Sequence, residues 1–201
     1  MNLSLTGIKL AIQLSANLNN TLADGSTSGG VNIPNVNYKL KLKNGVGSGL
    51  ANRSHAILGT LSAGQSVNID LYNFTGIDIG AGSGKNALGQ PIRFEEIAAI
   101  FILNNNDLGA GAGTLEVSPA VSNGWQAIGT HTNANGGELR NQGVLLKTNP
   151  EKDGFVVGIS DANDQITLKA VGGPVEYVVA LLAREWDSSS SSSALWHGGD
   201  V

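Results

Sequence analysis

A glycine-rich stretch at residues 80–89, GAGSGKNALG, contains the residue types that bind phosphate in nucleotide-binding loops. A P-loop needs glycine, four further residues and then Gly-Lys-Ser/Thr, because backbone N–H groups surround the phosphates and the hydroxyl binds the metal ion. Here Asn86 follows Lys85, and Ile79 stands where the first glycine should be. The dinucleotide pattern GxGxxG also fails. We therefore interpret this stretch as a surface loop.

The three histidines are too scattered to predict a metal site or a catalytic site. None of His55, His131 and His197 has another His, Asp or Glu at ligand spacing, and a closed metal site needs three or four ligands. Cysteine is absent, which excludes thiol catalysis, and no Gly-x-Ser-x-Gly motif presents a nucleophilic serine. We predict a protein that is not an enzyme and that uses no metal or other cofactor.

Carboxylates and amides also form groups, but their spacing argues against a site. Glu95 and Glu96 are neighbours, and neighbouring strand residues face opposite sides of a sheet, so we interpret them as part of a solvated edge. The stretches at 104–107 and 161–165 offer oxygen ligands for calcium, yet neither matches a calcium-binding loop that closes with a bidentate Glu. Asn and Asp are also common turn residues, and we favour turns.

The loop at 121–143 is the stretch best suited to contact a sugar or a neighbouring protein. It contains Trp125 beside an Asn-Gly pair, followed by His131, Asn133 and Asn135 between glycines. An exposed aromatic ring with nearby amide and imidazole groups is a combination that binding loops use. The competing interpretation is that the tryptophan is buried and closes one end of the fold. Both interpretations stay open at this point.

Composition excludes several classes of partner. Charged residues make up 14% of the 201 residues and the formal net charge is -4, so the sequence lacks the basic patch that nucleic acids require. The longest apolar runs are much shorter than the ~20 residues of a spanning helix. The first ten residues do not have the pattern of a secretory signal. We expect no nucleic-acid partner, no membrane partner and no secretion.

The elements that carry these loops are predicted to be strands. Apolar and polar residues alternate at 8–14, 36–42 and 67–71, as expected of strands that are buried on one face. The run at 175–183 is apolar on both faces, as expected of a strand that is covered by a second sheet or by a neighbouring subunit. Asn-Gly, Asp-Gly and Gly-Gly pairs separate the runs. We predict an all-β antiparallel sandwich of jelly-roll type, with eight to ten short strands and little helix.

The predicted domain covers residues 1–187. Within it, residues 19–35 are polar, lack periodicity and are interpreted as a loop or an arm. Residues 188–201 begin with six serines, which is typical of a flexible tail that is either native or derived from an expression vector.

Three segments, at 47–73, 87–107 and 136–183, resemble in that order a family of small virion structural proteins of tailed bacteriophages. The similarity lies in patterns of small and aliphatic residues, including a strand that ends in Asp-Leu and a late hairpin that begins with Gly-Gly. The resemblance implies a β-sandwich component of the virion, of the head-decoration or minor-capsid type, without catalytic residues. The stretches at 51–55 and 121–143 depart from the family pattern.

From these observations we expect a non-enzymatic structural protein that is made in the host cytoplasm and resides in the virion. Its expected partners are further copies of itself, as a trimer or larger assembly, and a capsid protein that it decorates or accompanies. The alternative is a carbohydrate-binding or adhesive β-sandwich module that uses the 121–143 loop.

Overall fold

The computed structural model describes residues 9–21, 27–75, 83–85, 91–107, 113–129, 137–158 and 163–186. Within these ranges the chain forms strands and one short 3-10 turn. The strands are β1 (Lys9–Thr21), β2 (Thr27–Lys41), β3 (Lys43–Asn44), β4 (Leu50–Ala51), β5 (Arg53–Leu61), β6 (Ser66–Asp70), β7 (Glu96–Asn104), β8 (Thr114–Pro119), β9 (Gly137–Leu139), β10 (Val144–Thr148), β11 (Gln165–Val171) and β12 (Val175–Arg184), and the turn is η1 (Gln126–Ile128).

Strands β5 to β12 form a sandwich of two four-stranded antiparallel sheets. Sheet I has the order β5-β12-β7-β10, and sheet II has the order β6-β11-β8-β9. Strand pairing is nested, as in one long hairpin that has been rolled up. The nested pairs are β5 with β12, β6 with β11, β7 with β10 and β8 with β9. This arrangement is the jelly roll. The predicted fold class is therefore confirmed, with eight strands in the sandwich itself.

The core lies between the two sheets and follows the alternation of the strands. In β11 the inward positions are Ile166, Leu168 and Ala170, all fully buried, while Thr167 and Lys169 between them are partly exposed. The facing sheet contributes the matching inward positions of β12. These are Val175, Tyr177, Val179, Leu181 and Ala183. Because every second residue enters the core, each strand of the sandwich leaves one side free to form an outer face.

Strands β1 and β2 form a hairpin of their own. They pair antiparallel from Lys9 opposite Lys41 to Thr21 opposite Thr27, and in the described residues neither strand joins sheet I or sheet II. Of the stretch 19–35, interpreted as a loop or an arm, residues 19–21 and 27–35 belong to these strands. The hydrogen bonds between paired strands join backbone groups, so a strand can form where apolar and polar residues do not alternate.

His55 lies in an aromatic cluster and not at a surface site. Its ring centroid is 4.7 Å from that of Phe74 and 6.5 Å from that of Phe94. The imidazole is 9% exposed, and burial lowers the pKa of His55 from its ordinary value of 6.5. A buried imidazole loses hydration when it is charged, so the folded protein favours the neutral ring.

We expect stability to fall as the pH is lowered through 6.5, because the unfolded chain then takes up a proton that folded His55, with its lowered pKa, resists. The loss is complete once the pH is below the folded pKa. Urea unfolding at pH 7.5 and pH 5.5 measures the change, and the His55→Gln variant should show a smaller difference between the two pH values. An equal difference in the variant would exclude His55 as the source.

Candidate assembly surface

The outer face of sheet I is apolar across all four strands. Strand register aligns its residues into two rows, each with one residue from β5, β12, β7 and β10 in turn. The rows are Leu58, Val178, Leu103 and Val144, and Ala56, Ala180, Phe101 and Leu146. We call these eight residues the apolar face. The outward positions of a sandwich strand are ordinarily polar, so this face departs from the usual pattern.

The apolar face is open to solvent. Leu58 at one edge is 77% exposed and Val144 at the other edge is 49% exposed. Ala56 is also exposed, and the five remaining residues are partly exposed. Isolated apolar residues are common on protein surfaces, whereas contiguous apolar patches mark sites of protein interaction or ligand binding. A surface two rows long and four strands wide belongs to the second group.

One end of the apolar face is already covered by the chain itself. Leu182, the next outward residue of β12, packs in a small cluster with Ala98 and Ala99 of β7 and with Leu40 and Leu42 from the end of β2 and the residue after it. This cluster anchors the base of the hairpin to the outer side of sheet I. It stops short of the two exposed rows.

The outer face of sheet II has the opposite character. The hydroxyl of Thr167 donates a hydrogen bond to Oδ1 of Asn68 across 2.8 Å, and Lys169 lies 3.5 Å from the carboxylate of Glu116. This face carries the polar outward residues expected of a sandwich in water. The two outer faces of one molecule therefore differ, and only the face on sheet I resembles an interface.

Sequence reasoning found part of this surface. The run 175–183 is apolar on both faces, and its outward residues in the structure include Val178 and Ala180. Sequence reasoning did not identify Leu58 or Val144, which lie on β5 and β10 and are aligned with the residues of β12 by the strand register.

The structure places Trp125 in the core. Its side chain is fully buried, its ring packs edge-on against Phe155 with centroids 5.6 Å apart, and its indole N–H donates a hydrogen bond to the carbonyl of Val156 across 3.1 Å. The ring is thus not available to stack on a sugar, and its burial agrees with the competing interpretation of a buried tryptophan. The other candidate contact residues, His131, Asn133 and Asn135, lie outside the described residues.

Within the described residues, the glycine-rich loop and the two stretches rich in Asn and Asp do not assemble into a site. Only residues 83–85 of the glycine-rich loop are described, and there Gly84 accepts a hydrogen bond from the backbone N–H of Ile92. Asn104 is buried and donates from its amide to the carbonyls of Gly113 and Leu139. In the described ranges, no group of three or more His, Cys, Asp or Glu could hold a metal ion.

The solvated-edge interpretation of Glu95 and Glu96 is wrong for Glu96. Glu96 is 1% exposed and forms an ion pair with Arg184, which is itself fully buried. Glu95 accepts a hydrogen bond from the backbone N–H of Trp186. Both carboxylates therefore have structural contacts.

The part of the chain that the structure describes contains no helix long and apolar enough to cross a membrane. The chain matches no protein-family model and no curated protein. These comparisons give no support to the resemblance to virion proteins of tailed phages.

Proposed function

We propose that this protein is a non-enzymatic structural subunit that assembles with copies of itself through the apolar face of sheet I. We further propose that the assembly belongs to a tailed-phage virion, where it decorates the capsid or forms part of it together with a capsid protein. The observation that carries the proposal is the contrast between the apolar outer face of sheet I and the polar outer face of sheet II.

The physical reason is the cost of leaving this face in water. Burying apolar surface is worth about 25 cal/mol per Å², so eight apolar residues side by side favour association over exposure. The face is also rigid, because it is built on paired strands and on no loop. A rigid surface loses little conformational entropy when it binds.

The virion part of the proposal has different support. Jelly rolls are common among viral capsid proteins, but lectins and cupins share the architecture, and a fold alone does not assign a function. Among these classes, the resemblance of the segments at 47–73, 87–107 and 136–183 to virion proteins favours the virion. The carbohydrate-binding alternative is weaker, because Trp125 supplies no exposed ring and the three other contact residues lie outside the described ranges.

Placing an aspartate on the apolar face is expected to dissociate the assembly. In the Leu58→Asp and Val144→Asp variants the dissociation constant should rise by about tenfold or more each, since burying such a side chain is worth about 1.5 to 3 kcal/mol and each 1.4 kcal/mol is a factor of ten. Both residues are largely exposed in the single chain, so folding should be little affected. Size exclusion with light scattering measures the mass, and electron microscopy of the same fractions shows the form of the assembly.

The matched control is Ser66→Asp, which adds the same charge to an exposed position on an edge strand of sheet II. It should leave the mass unchanged. A ring, a closed particle or a stable trimer in the unmodified chain supports a virion subunit. A monomer at every accessible concentration, or equal loss of mass in the control, would refute assembly through sheet I.

A further inference from the structure

Strand β5 forms the edge of sheet I at which the apolar face ends with Ala56 and Leu58. In the described residues β5 pairs with β12 alone, so the backbone groups on its other side have no strand partner there. Such an edge is a template for pairing with another chain unless the fold protects it. Native sheets protect their edges by short strands, charged side chains, proline and bulges.

The edge of β5 has none of these protections. The strand has nine residues, and its register with β12 runs from Leu61 to Arg53 without a shift. It contains no proline, and after Arg53, which forms an ion pair with Glu185, it contains no Asp, Glu, Lys or Arg. The other edge strands of the two described sheets are β6, β9 and β10, which have three to five residues and contain a charged residue each. Among the described edges, that of β5 is therefore the one best suited to pair with another strand.

The alternation of backbone hydrogen bonds shows which groups of β5 point to the open edge. The N–H of Asn105 donates to the carbonyl of Glu176 across 2.8 Å, so the backbone of Glu176 points toward β7. Successive strand residues point their backbone groups to opposite sides, so the odd-numbered residues of β12 are bonded toward β5. By register these lie opposite odd-numbered residues of β5. The residues whose N–H and C=O point to the open edge are therefore Ser54, Ala56, Leu58 and Thr60, and all four are exposed.

We propose that β5 pairs antiparallel with β5 of a second copy across a two-fold axis, so that sheet I of both copies becomes one continuous sheet. Full overlap of the nine residues puts Ile57 at the axis, Leu58 opposite Ala56 and Thr60 opposite Ser54. In this register the edge-directed residues of one copy lie opposite those of the other. Each such pair can exchange two N–H to C=O hydrogen bonds.

A second copy is the partner that this edge fits. A two-fold contact joins the same surface of both partners, and the pairing places no like charges opposite each other, because Arg53 lies opposite Leu61 and the residues between them are uncharged. Pairing also brings Leu58 of each copy beside Ala56 of the other, so the two apolar faces become one larger surface. The proposal rests on self-assembly through the apolar face and specifies how two copies join at its edge.

The chain contains no cysteine, so introduced cysteines test this register directly. The full-length variant with both Ser54→Cys and Thr60→Cys should form a disulfide-linked dimer under mild oxidation, because opposite Cα atoms about 5.5 Å apart are within disulfide range. The two positions are about 20 Å apart along one strand, so they cannot link within one chain. Each single variant would place its two cysteines about 20 Å apart in the dimer and should yield about a tenth as much product or less.

A matched pair of charge variants tests the same register without a covalent link. Ser54→Lys combined with Thr60→Lys places like charges opposite each other twice, and the dissociation constant of the dimer should rise by about fivefold. Ser54→Lys combined with Thr60→Asp places opposite charges there and should restore association. Both positions are exposed and neither belongs to the apolar face, so folding and that face should be little affected. Sedimentation velocity over a range of concentrations measures the dissociation constant.

The outcomes separate edge pairing from assembly through the apolar face. Disulfide dimers confined to the double-cysteine variant, together with recovery in the variant of opposite charges, support pairing of β5 with β5. Equal dimer yields from the single and double variants would indicate random collision and overturn it. If no disulfide dimer formed while Val144→Asp still reduced the mass of an assembly, edge pairing would be refuted and assembly through the apolar face would survive. Monomers in every sample would refute both.

Discussion

Replacing Glu96 with alanine is expected to lower the free energy of unfolding by about 3 to 5 kcal/mol, the usual cost of removing one partner of a buried ion pair. Arg184 and Glu96 are 0% and 1% exposed, and their Nη1 and Oε1 atoms lie 2.5 Å apart. Without the carboxylate, a guanidinium charge would remain in the protein interior with no counter-charge. The expected loss is a large part of the stability of a domain of this size.

The pair also joins separate parts of the chain. Arg184 Nε donates to the carbonyl of Leu50 across 2.8 Å, and its Nη2 donates to the carbonyl of Pro150 across 2.5 Å. Glu96 accepts from the backbone N–H of Gly154 across 3.1 Å. The ion pair therefore holds β4 and the loop after β10 against β7 and β12, close to the base of the hairpin.

Chemical denaturation of the full chain measures the effect, with Glu116→Ala as the matched control. Glu116 pairs with Lys169 on the polar face of sheet II, where the side chains are 26% and 49% exposed. An exposed pair of this kind is worth about 0.2 to 1 kcal/mol. The double variant Glu96→Leu with Arg184→Met should recover part of the loss, because it leaves no unpaired charge. Equal costs for Glu96→Ala and Glu116→Ala would contradict a buried pair.

The pairing of Glu96 with Arg184 could not be predicted from the sequence. Glu96 and Arg184 are separated by 88 positions, and no local pattern connects them. Adjacent glutamates on a strand were interpreted as a solvated edge because period-two alternation describes which side a residue faces and not what it meets there. Whether that face of the strand is exposed to solvent or buried depends on what packs against it from other strands. The packing partner can be identified only once the fold is known.

Most of the fold could be predicted from the sequence. Alternation in β6 and turn residues between runs are local signals, and together they were enough to predict an antiparallel sandwich of jelly-roll type. The sequence predicts only part of the β1–β2 hairpin, namely the alternating residues at 8–14 and 36–42. Gly29, Gly30 and the asparagines around them show no alternation, although their backbone groups pair in β2. The apolar face was anticipated from β12 alone, since its other residues are distributed over three further strands that only the register aligns.

The Trp125→Ala variant is expected to lose about 3 to 5 kcal/mol of stability, the usual cost of truncating a fully buried large aromatic residue. The indole is 0% exposed, it packs on Phe155, and its N–H is hydrogen-bonded to the carbonyl of Val156. Alanine would leave a cavity in the core and remove the donor to that carbonyl. Trp125→Phe keeps most of the volume and should cost less, so the difference between the variants separates packing from the hydrogen bond.

The same two variants decide between the interpretations of the 121–143 loop. Thermal unfolding gives stability, and retention on immobilised glycans gives binding. If Trp125 is a core residue, the alanine variant unfolds at lower temperature and the phenylalanine variant behaves nearly as the unmodified chain does in both assays. If alanine abolished glycan retention at unchanged stability, the ring would have to face solvent, and the carbohydrate-binding alternative would replace the structural subunit. The burial of the indole favours the first result, because a ring that is enclosed on all sides has no free face on which a sugar could stack.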